Sequence, residues 1–313
     1  MARQIRDRLI SLVIILLGLS IMTYGLTYLL PSDPVDILID TMGLTHDPET
    51  VAALEKEYGL DQPFWVQYTT WLKGIFHGDF GYSIKYQEPV ATALGRKLPN
   101  TIKLACSAFV MMVLISFPLG ILSAVYRNKT ADYIIRALSF VGVSMPTFWF
   151  GMILIYLLGV RLKILPVAGF SSWKSIIMPT LTLGITNSAY YIRRIRAVMV
   201  EQLGEGYISG LKSRGVSRKR IIFRHVLPNS LLAVITMLGM SFGGMLGGTM
   251  IVETIFSWNG IGSAAMAAIS ARDYKLIQGY VLWMGFIYVM VNLVVDISYQ
   301  FIDPRIRRGE AKK

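Results

Sequence analysis

The chain has 313 residues, of which 54% are hydrophobic and only 16% charged, with a mean hydropathy of +0.52. A soluble domain carries about 25% charged residues, so this composition excludes an ordinary globular protein and suits a lipid-facing surface, where every charge is costly. The formal charge of +12 would fit nucleic acid or anionic lipid alike, and only its distribution along the chain separates the two.

In chain order, Arg3, Arg6 and Arg8 precede an uncharged stretch from Leu9 to Leu30, long enough to cross a bilayer. No small-residue cleavage site appears before Pro31, so the stretch reads as an uncleaved first span rather than a signal peptide. Pro31 to about Asn100 is too polar to span. Within it, Trp65, Tyr68, Trp71, Leu72, Ile75 and Phe76 recur at helical spacing. They fit either an amphipathic helix with its aromatics at the headgroup level or a small packed cap. Five further apolar stretches run over 102–125, 134–160, 176–198, 229–255 and 276–302. The expected fold is therefore all-α: a polytopic membrane protein with six transmembrane helices. Its divisions are a first span with an outer segment (1–97), a membrane domain of five helices (98–302) and a tail (303–313).

Six spans place both termini on one side. With the N-terminus cytoplasmic, 20 of the 31 basic residues fall inside. They are the three N-terminal arginines, then Arg127, Lys129 and Arg136, then nine cations between Arg193 and Arg224, and finally Arg305, Arg307, Arg308, Lys312 and Lys313. That asymmetry is the positive-inside pattern, and it accounts for the charge without nucleic acid. Both termini are expected in the cytoplasm of a cell inner-membrane protein.

The segment between the fourth and fifth spans holds the most functional information. From Glu201 to Ser230 it is dense in cations, with apolar residues at helical spacing on both sides of Gly215. It reads as a short helix, a glycine turn and a second short helix. Gly215 suits the left-handed position that ends a helix, and Pro228 suits the first turn of the next span, where its missing N–H costs nothing. The pattern fits a docking surface for another protein or an ordinary interfacial loop.

Gly215, Leu227 and Pro228 stand at the spacings of the loop motif of bacterial ABC import permeases, with Ser209-Gly210-Leu211 where Glu-Ala-Ala is usual and His225 where Ile is usual. Tyr207-Ile208 and His225-Val226-Leu227-Pro228-Asn229 resemble the peptide/nickel branch of that family. So do Gly78-Asp79-Phe80-Gly81-Tyr82-Ser83, Gly142-Val143-Ser144-Met145-Pro146, Glu253-Thr254-Ile255-Phe256 and Asp303-Pro304-Arg305. The resemblance implies a type I ABC importer permease fold. It also implies four kinds of partner: a second homologous permease, two ABC ATPase subunits, an extracytoplasmic substrate-binding protein and membrane lipid. Coupling to the ATPases would fall to Tyr207, Gly215, His225, Leu227 and Pro228. Gly210 should weaken the first short helix by up to about 1 kcal/mol.

No phosphate-cradling Gly-x-x-x-x-Gly-Lys-[Ser/Thr] loop is present, so ATP and Mg belong to partner subunits, and this chain is expected to bind no cofactor and to be no enzyme. Gly243-Gly244 and Gly247-Gly248 fit close helix packing instead. His46, His77 and His225 are scattered without metal-ligand spacing. Cys106, the single cysteine, allows no disulfide framework within the chain and reads as a small buried hydrophobe. Met237, Met240, Met245 and Met250 read as packing. Candidate pathway or gate residues are Pro146, which should kink the third span, Glu253 at the outer end of the fifth, and Asp296 near the inner end of the sixth.

A secondary transporter would need coupling-ion residues and usually internal repeats; only Asp296 is a clear candidate. An intramembrane enzyme would need paired catalytic groups at one depth, and none fall so. The short connection between the third and fourth spans, Arg161 to Ser175, resembles nickel and glutathione permeases. The sequence reading leans to nickel or a nickel chelate as cargo, with a di- or oligopeptide, or a glutathione-like peptide, as the alternative.

Overall fold

A computed structural model of the chain describes residues 2–29, 35–36, 39, 43–170 and 172–302. The tail from Asp303 onward, and the side chain of Asp296, lie outside the described residues. The chain forms two compact units, one from Met1–Asn100 with Gly260–Val289 and one from Thr101–Asn259 with Met290–Lys313.

The first unit opens with α1 (Ala2–Tyr28) and α2 (Pro48–Tyr58). Asp47 caps α2 by accepting the Thr50 N–H at 2.8 Å, Pro48 takes the first helical position, and Gly59 ends the helix at φ 65°. Hydroxyl bonds from Thr45 and the amide of Thr50 pull the Asp47 carboxyl down to about 2. The helix α3 (Phe64–Phe76) decides between the two expectations for the outer aromatics by dividing them. Tyr68 and Trp71 are buried against Tyr24 of α1 and Leu282, and Tyr68 Oη lies 2.8 Å from Ser20 Oγ. Trp65 and Phe76 stay exposed. One face is a packed cap, and the other is free for an interface.

Next comes a hairpin of two two-residue strands, β1 (Tyr82–Ser83) and β2 (Glu88–Pro89), which pair antiparallel with Ser83 opposite Glu88. It leads into α4 (Val90–Val125). Far along the chain the same unit contains α11 (Ile261–Ser270) and the start of α12 (Tyr274–Ile302). Neither the hairpin nor α11 was expected. Asp273 joins the early and late segments: its buried carboxylate accepts Ser83 Oγ at 2.6 Å and the Lys85 amide at 3.0 Å, and it caps α12 through the Leu276 amide at 3.1 Å.

In the second unit, α5 (Thr130–Ser144) and α6 (Thr147–Leu154, prolonged by a π-helical turn over Ile155–Arg161) replace the expected kinked third span with a break of 101°. Met145 precedes Pro146, is sterically driven out of the helical region, and sits extended at ψ 123°. The central helix is α7 (Ile177–Gly204), packed against α5, α6 and α10 (Leu227–Ile255). It buries Thr182 and Ser188 because their hydroxyls turn back to the carbonyls of Met178 (2.8 Å) and Gly184 (2.5 Å), four residues earlier. A hydroxyl satisfied within its own helix needs no water.

Among the described residues, four helices are long and apolar enough to cross a membrane, over Ile10–Tyr28, Val90–Val125, Ala233–Ile255 and Tyr274–Val295. Counting the broken pair α5–α6 as one span makes five. The residues expected to form the fourth span make the 28-residue helix α7, whose threonines, Asn187 and Arg193–Arg196 keep it below that hydropathy.

Two packing expectations are corrected within the second unit. A Cβ added at Gly244, Gly247 or Gly248 would meet nothing within 4 Å, so these three glycines make no close contact in the single chain, whereas Gly243 is buried. Close approach occurs instead at Gly120 against Ile195, Gly142 against Ala189 and Gly184 against Met111, where an added Cβ would lie 2.8 Å from the neighbouring side chain in each case. Cys106 is exposed on α4 rather than buried. Of the four methionines expected to pack on α10, Met245 is in the core and Met237 packs against that core.

Candidate functional site

The segment that joins α7 to α10 is helical almost throughout. After Glu205 comes α8 (Gly206–Ser213), then the turn Arg214-Gly215-Val216, then α9 (Arg218–Ile221). Gly215 has φ 75°, as its place after a helix demands; its amide bonds to Lys212 O at 3.0 Å and the next amide, Val216, reaches back to Leu211 O at 3.1 Å. The second short helix does not stop before the membrane helix. It passes through a π-helical turn over Ile222–Val226 straight into α10. Pro228, at the start of α10, has no N–H to give the ladder. Local widening to a π turn is one way a helix absorbs such a gap, and Leu227 N–H accordingly bonds five residues back, to Ile222 O.

The two helices have opposed faces. Ile208, Ile221, Ile222 and Val226 are buried in the core of this unit, with Leu211, Val216 and Leu227 packed on it. The other face exposes Lys212, Arg214, Arg218, Lys219, Arg220, Arg224 and the ring of Phe223. Of the five expected coupling residues, Tyr207, Gly215 and Pro228 are exposed, while His225 and Leu227 are half-buried. The Tyr207 hydroxyl donates to Gln202 Oε1 and accepts from Asn229 Nδ2, each at 3.3 Å, so it staples the start of α8 to both flanking helices. A groove of about 660 Å³ lies beside the loop, lined by Val125, Arg127, Leu203, Lys212, Val216 and Arg218 among others. An amphipathic helix pair anchored by apolar residues, with its cations and one large ring turned outward, can seat against a second protein and carry a push into α7 and α10.

The expected pathway residues do not converge. Pro146 marks the α5–α6 break, exposed beside Phe140 and Trp149. Glu253, near the end of α10, is wholly buried; it accepts Thr101 Oγ1 at 2.6 Å, and its carbonyl accepts the Trp258 amide at 2.8 Å. Asp296 falls on α12, but its side chain is outside the described residues. Among the described residues there is no group of three or more His, Cys, Asp or Glu that could hold a metal.

Sequence reasoning missed one buried ion pair. Asp132 on α5 is fully buried and takes both nitrogens of a fork from Arg196 on α7, at 2.6 and 2.7 Å. In the sequence each looks like no more than a charge flanking a span. The one available signal was that Asp132 is the single acid in the expected first cytoplasmic loop.

Comparisons with known proteins identify the family. A family described as binding-protein-dependent transport system inner membrane component matches residues 116–308, and its N-terminal counterpart matches residues 1–105. The chain is 35% identical to the probable D,D-dipeptide transport system permease protein DdpB of Escherichia coli K12, over 97% of each chain. It is 34% identical to the dipeptide transport system permease protein DppB of the same strain, over 93% of this chain and 94% of the relative. It is also 34% identical to the glutathione transport system permease protein GsiC of Salmonella typhimurium LT2, over 98% and 99%. In fold it is similar to a chain of the MetNI methionine ABC transporter solved in inward-facing conformations, with TM-score 0.57 at 14% identity over 67% of this chain and 96% of that one. A chain of an amino acid ABC transporter crystallised with histidines gives TM-score 0.54 at 19% identity, over 68% and 94%.

Proposed function

The chain belongs to the family of binding-protein-dependent transport-system inner-membrane components, and from that premise we propose that it is the pore-forming permease subunit of an ATP-driven importer of di- or oligopeptides, glutathione-like peptides included. Family membership makes it a membrane transport component and not itself a catalyst. The observation that carries the peptide reading is the full-length similarity to three permeases named for dipeptide or glutathione transport. The lean towards nickel finds no such support and gives way to the peptide alternative. A secondary transporter loses its support for the same reason.

In this reading six helices cross the membrane, with α5–α6 as a broken third span and the polar α7 as the fourth, and both termini are cytoplasmic. The segment 1–97 supplies the first span and an outer cap, 98–302 the permease body and 303–313 a tail. A second permease chain completes the pore, an extracytoplasmic binding protein delivers the peptide, and two ATPase subunits hold ATP and Mg. The ATPases dock on the cationic face around α8 and α9, with Tyr207, Gly215, His225, Leu227 and Pro228 shaping it. Pro146 sets the break of a gating span. Glu253 acts as a pathway-side carboxylate that fixes helices rather than holds cargo, and Asp296 stays a pathway candidate by its place in the sequence.

The test is a deletion strain supplied with a required amino acid only as a dipeptide. Loss of growth, restored by the gene, with cellular nickel unchanged under nickel limitation, is the expected result. A gene-dependent fall in nickel with dipeptide growth intact would overturn the peptide reading.

A further inference from the structure

We propose that Asp132 and Arg196 are positioning residues that make the docking loop, α7 and the α4–α5 turn move as one body. The proposal rests on the permease reading above. Asp132 exposes no surface, and its two oxygens receive four donors. Ser123 Oγ (2.6 Å) and Arg196 Nε (2.6 Å) meet Oδ1; the Asn128 amide (2.9 Å) and Arg196 Nη2 (2.7 Å) meet Oδ2. These donors come from the last turns of α4, from the turn that follows it, and from α7. A bidentate guanidinium fixes orientation as well as distance, which a lysine cannot do.

A second arginine makes a matching tie. Arg218, the first residue of α9, donates through Nη2 to Val125 O at 2.6 Å. Val125 ends α4, so its carbonyl has no donor within the helix, and a cation there also suits the helix dipole. The α4–α5 turn is thus held by one arginine upstream of α8 and one downstream of it. Arg196 lies eight residues before the end of α7, about 12 Å along the axis. Between α5 and α7 there is little room for sliding, since a Cβ on Gly142 would meet Ala189 Cβ at 2.8 Å. A displacement of α8 imposed by a partner therefore reaches α4 and α5, the latter being the arm that ends at the Pro146 break. The buried charge is what enforces this: Arg196 cannot leave Asp132 without stranding a carboxylate in the core.

The experiment uses the full complex in proteoliposomes, with tritiated alanyl-alanine on the binding protein as probe, and reads dipeptide imported per ATP hydrolysed. Three variants are compared: Arg196→Lys, Asp132→Asn, and the neutral double variant Asp132→Asn with Arg196→Gln. Import per ATP is expected to fall about fivefold or more in all three, while the ATPase subunits co-purify as in wild type and hydrolysis continues. The double variant is expected to regain the thermal stability that Asp132→Asn loses, but not the import ratio. If Asp132→Asn does not fold, Arg196→Lys, which keeps the charge, carries the test. A folded, assembled Arg196→Lys or double variant that imports at the wild-type ratio would overturn the proposal and leave the pair merely stabilising. A wild-type complex that assembles with no ATPase would overturn the proposal together with the permease reading, and no variant would be needed to see it.

Discussion

Thr101 and Glu253 lie 152 positions apart in sequence, yet the Thr101 hydroxyl donates to Glu253 Oε1 at 2.6 Å, and both residues are fully buried. A carboxylate held this way locks the end of α10 to α4 rather than waiting at an open mouth for a cation. Glu253→Gln keeps an acceptor for Thr101 and should leave dipeptide uptake per folded molecule near wild type. Thr101→Val removes a donor from a buried carboxylate and should cost about 1–3 kcal/mol of stability, read as a lowered melting temperature in detergent. Loss of uptake in Glu253→Gln at unchanged stability would show instead that the carboxylate acts on cargo.

Gly210 and Gly215 make a natural pair, because a Cβ would meet nothing within 4 Å at either site. Space is equal, so only backbone conformation distinguishes them. Gly210 is helical, and Gly210→Ala should stabilise α8 by up to about 1 kcal/mol without harming uptake. Gly215 has φ 75°, which a β-branched residue tolerates badly. Gly215→Val should leave the membrane helices inserted but lose co-purification with the ATPase. Normal assembly and uptake by Gly215→Val would remove the turn from the docking account.

The 101° break between α5 and α6 depends on Pro146 forcing Met145 out of helix. Pro146→Ala lifts that restriction. Spin labels at the exposed positions Tyr133 and Tyr156 should then move apart, towards the roughly 35 Å of a straight helix at 1.5 Å per residue, and uptake should fall. An unchanged distance would assign the break to tertiary packing.

Asp273 holds the hairpin through Ser83 and Lys85 while capping α12. Asp273→Ala should cost about 1–2 kcal/mol from the cap alone and open the segment between Gly81 and Pro89 to protease. Resistance equal to wild type would mean that the β1–β2 pairing suffices by itself.

The long helices were legible because length and hydropathy write them plainly, and Gly215 because only one backbone state suits a glycine placed after a helix. What sequence concealed has physical causes. Helix α4 starts at Val90, not near 102, since Arg96, Lys97 and Asn100 look like loop while a backbone ladder can run through them. Two-residue strands have no period to detect, and the Ala-rich α11 is too short to declare itself. The rotational phase of an all-apolar helix is also unwritten, so Cys106 was expected inside and lies outside, and Gly244, Gly247 and Gly248 face open space while Gly120, Gly142 and Gly184 make the close contacts. Asp132 and Arg196 are 64 residues apart, and only the fold brings them together.

The measurement with the greatest leverage is uptake of a tritiated dipeptide into proteoliposomes that carry this chain, its partner permease and the ATPase subunits, with loaded binding protein outside and Mg-ATP inside. The account requires uptake that depends on ATP hydrolysis, survives a protonophore and disappears in Gly215→Val. Uptake that continues without ATP and collapses with the proton gradient would contradict it.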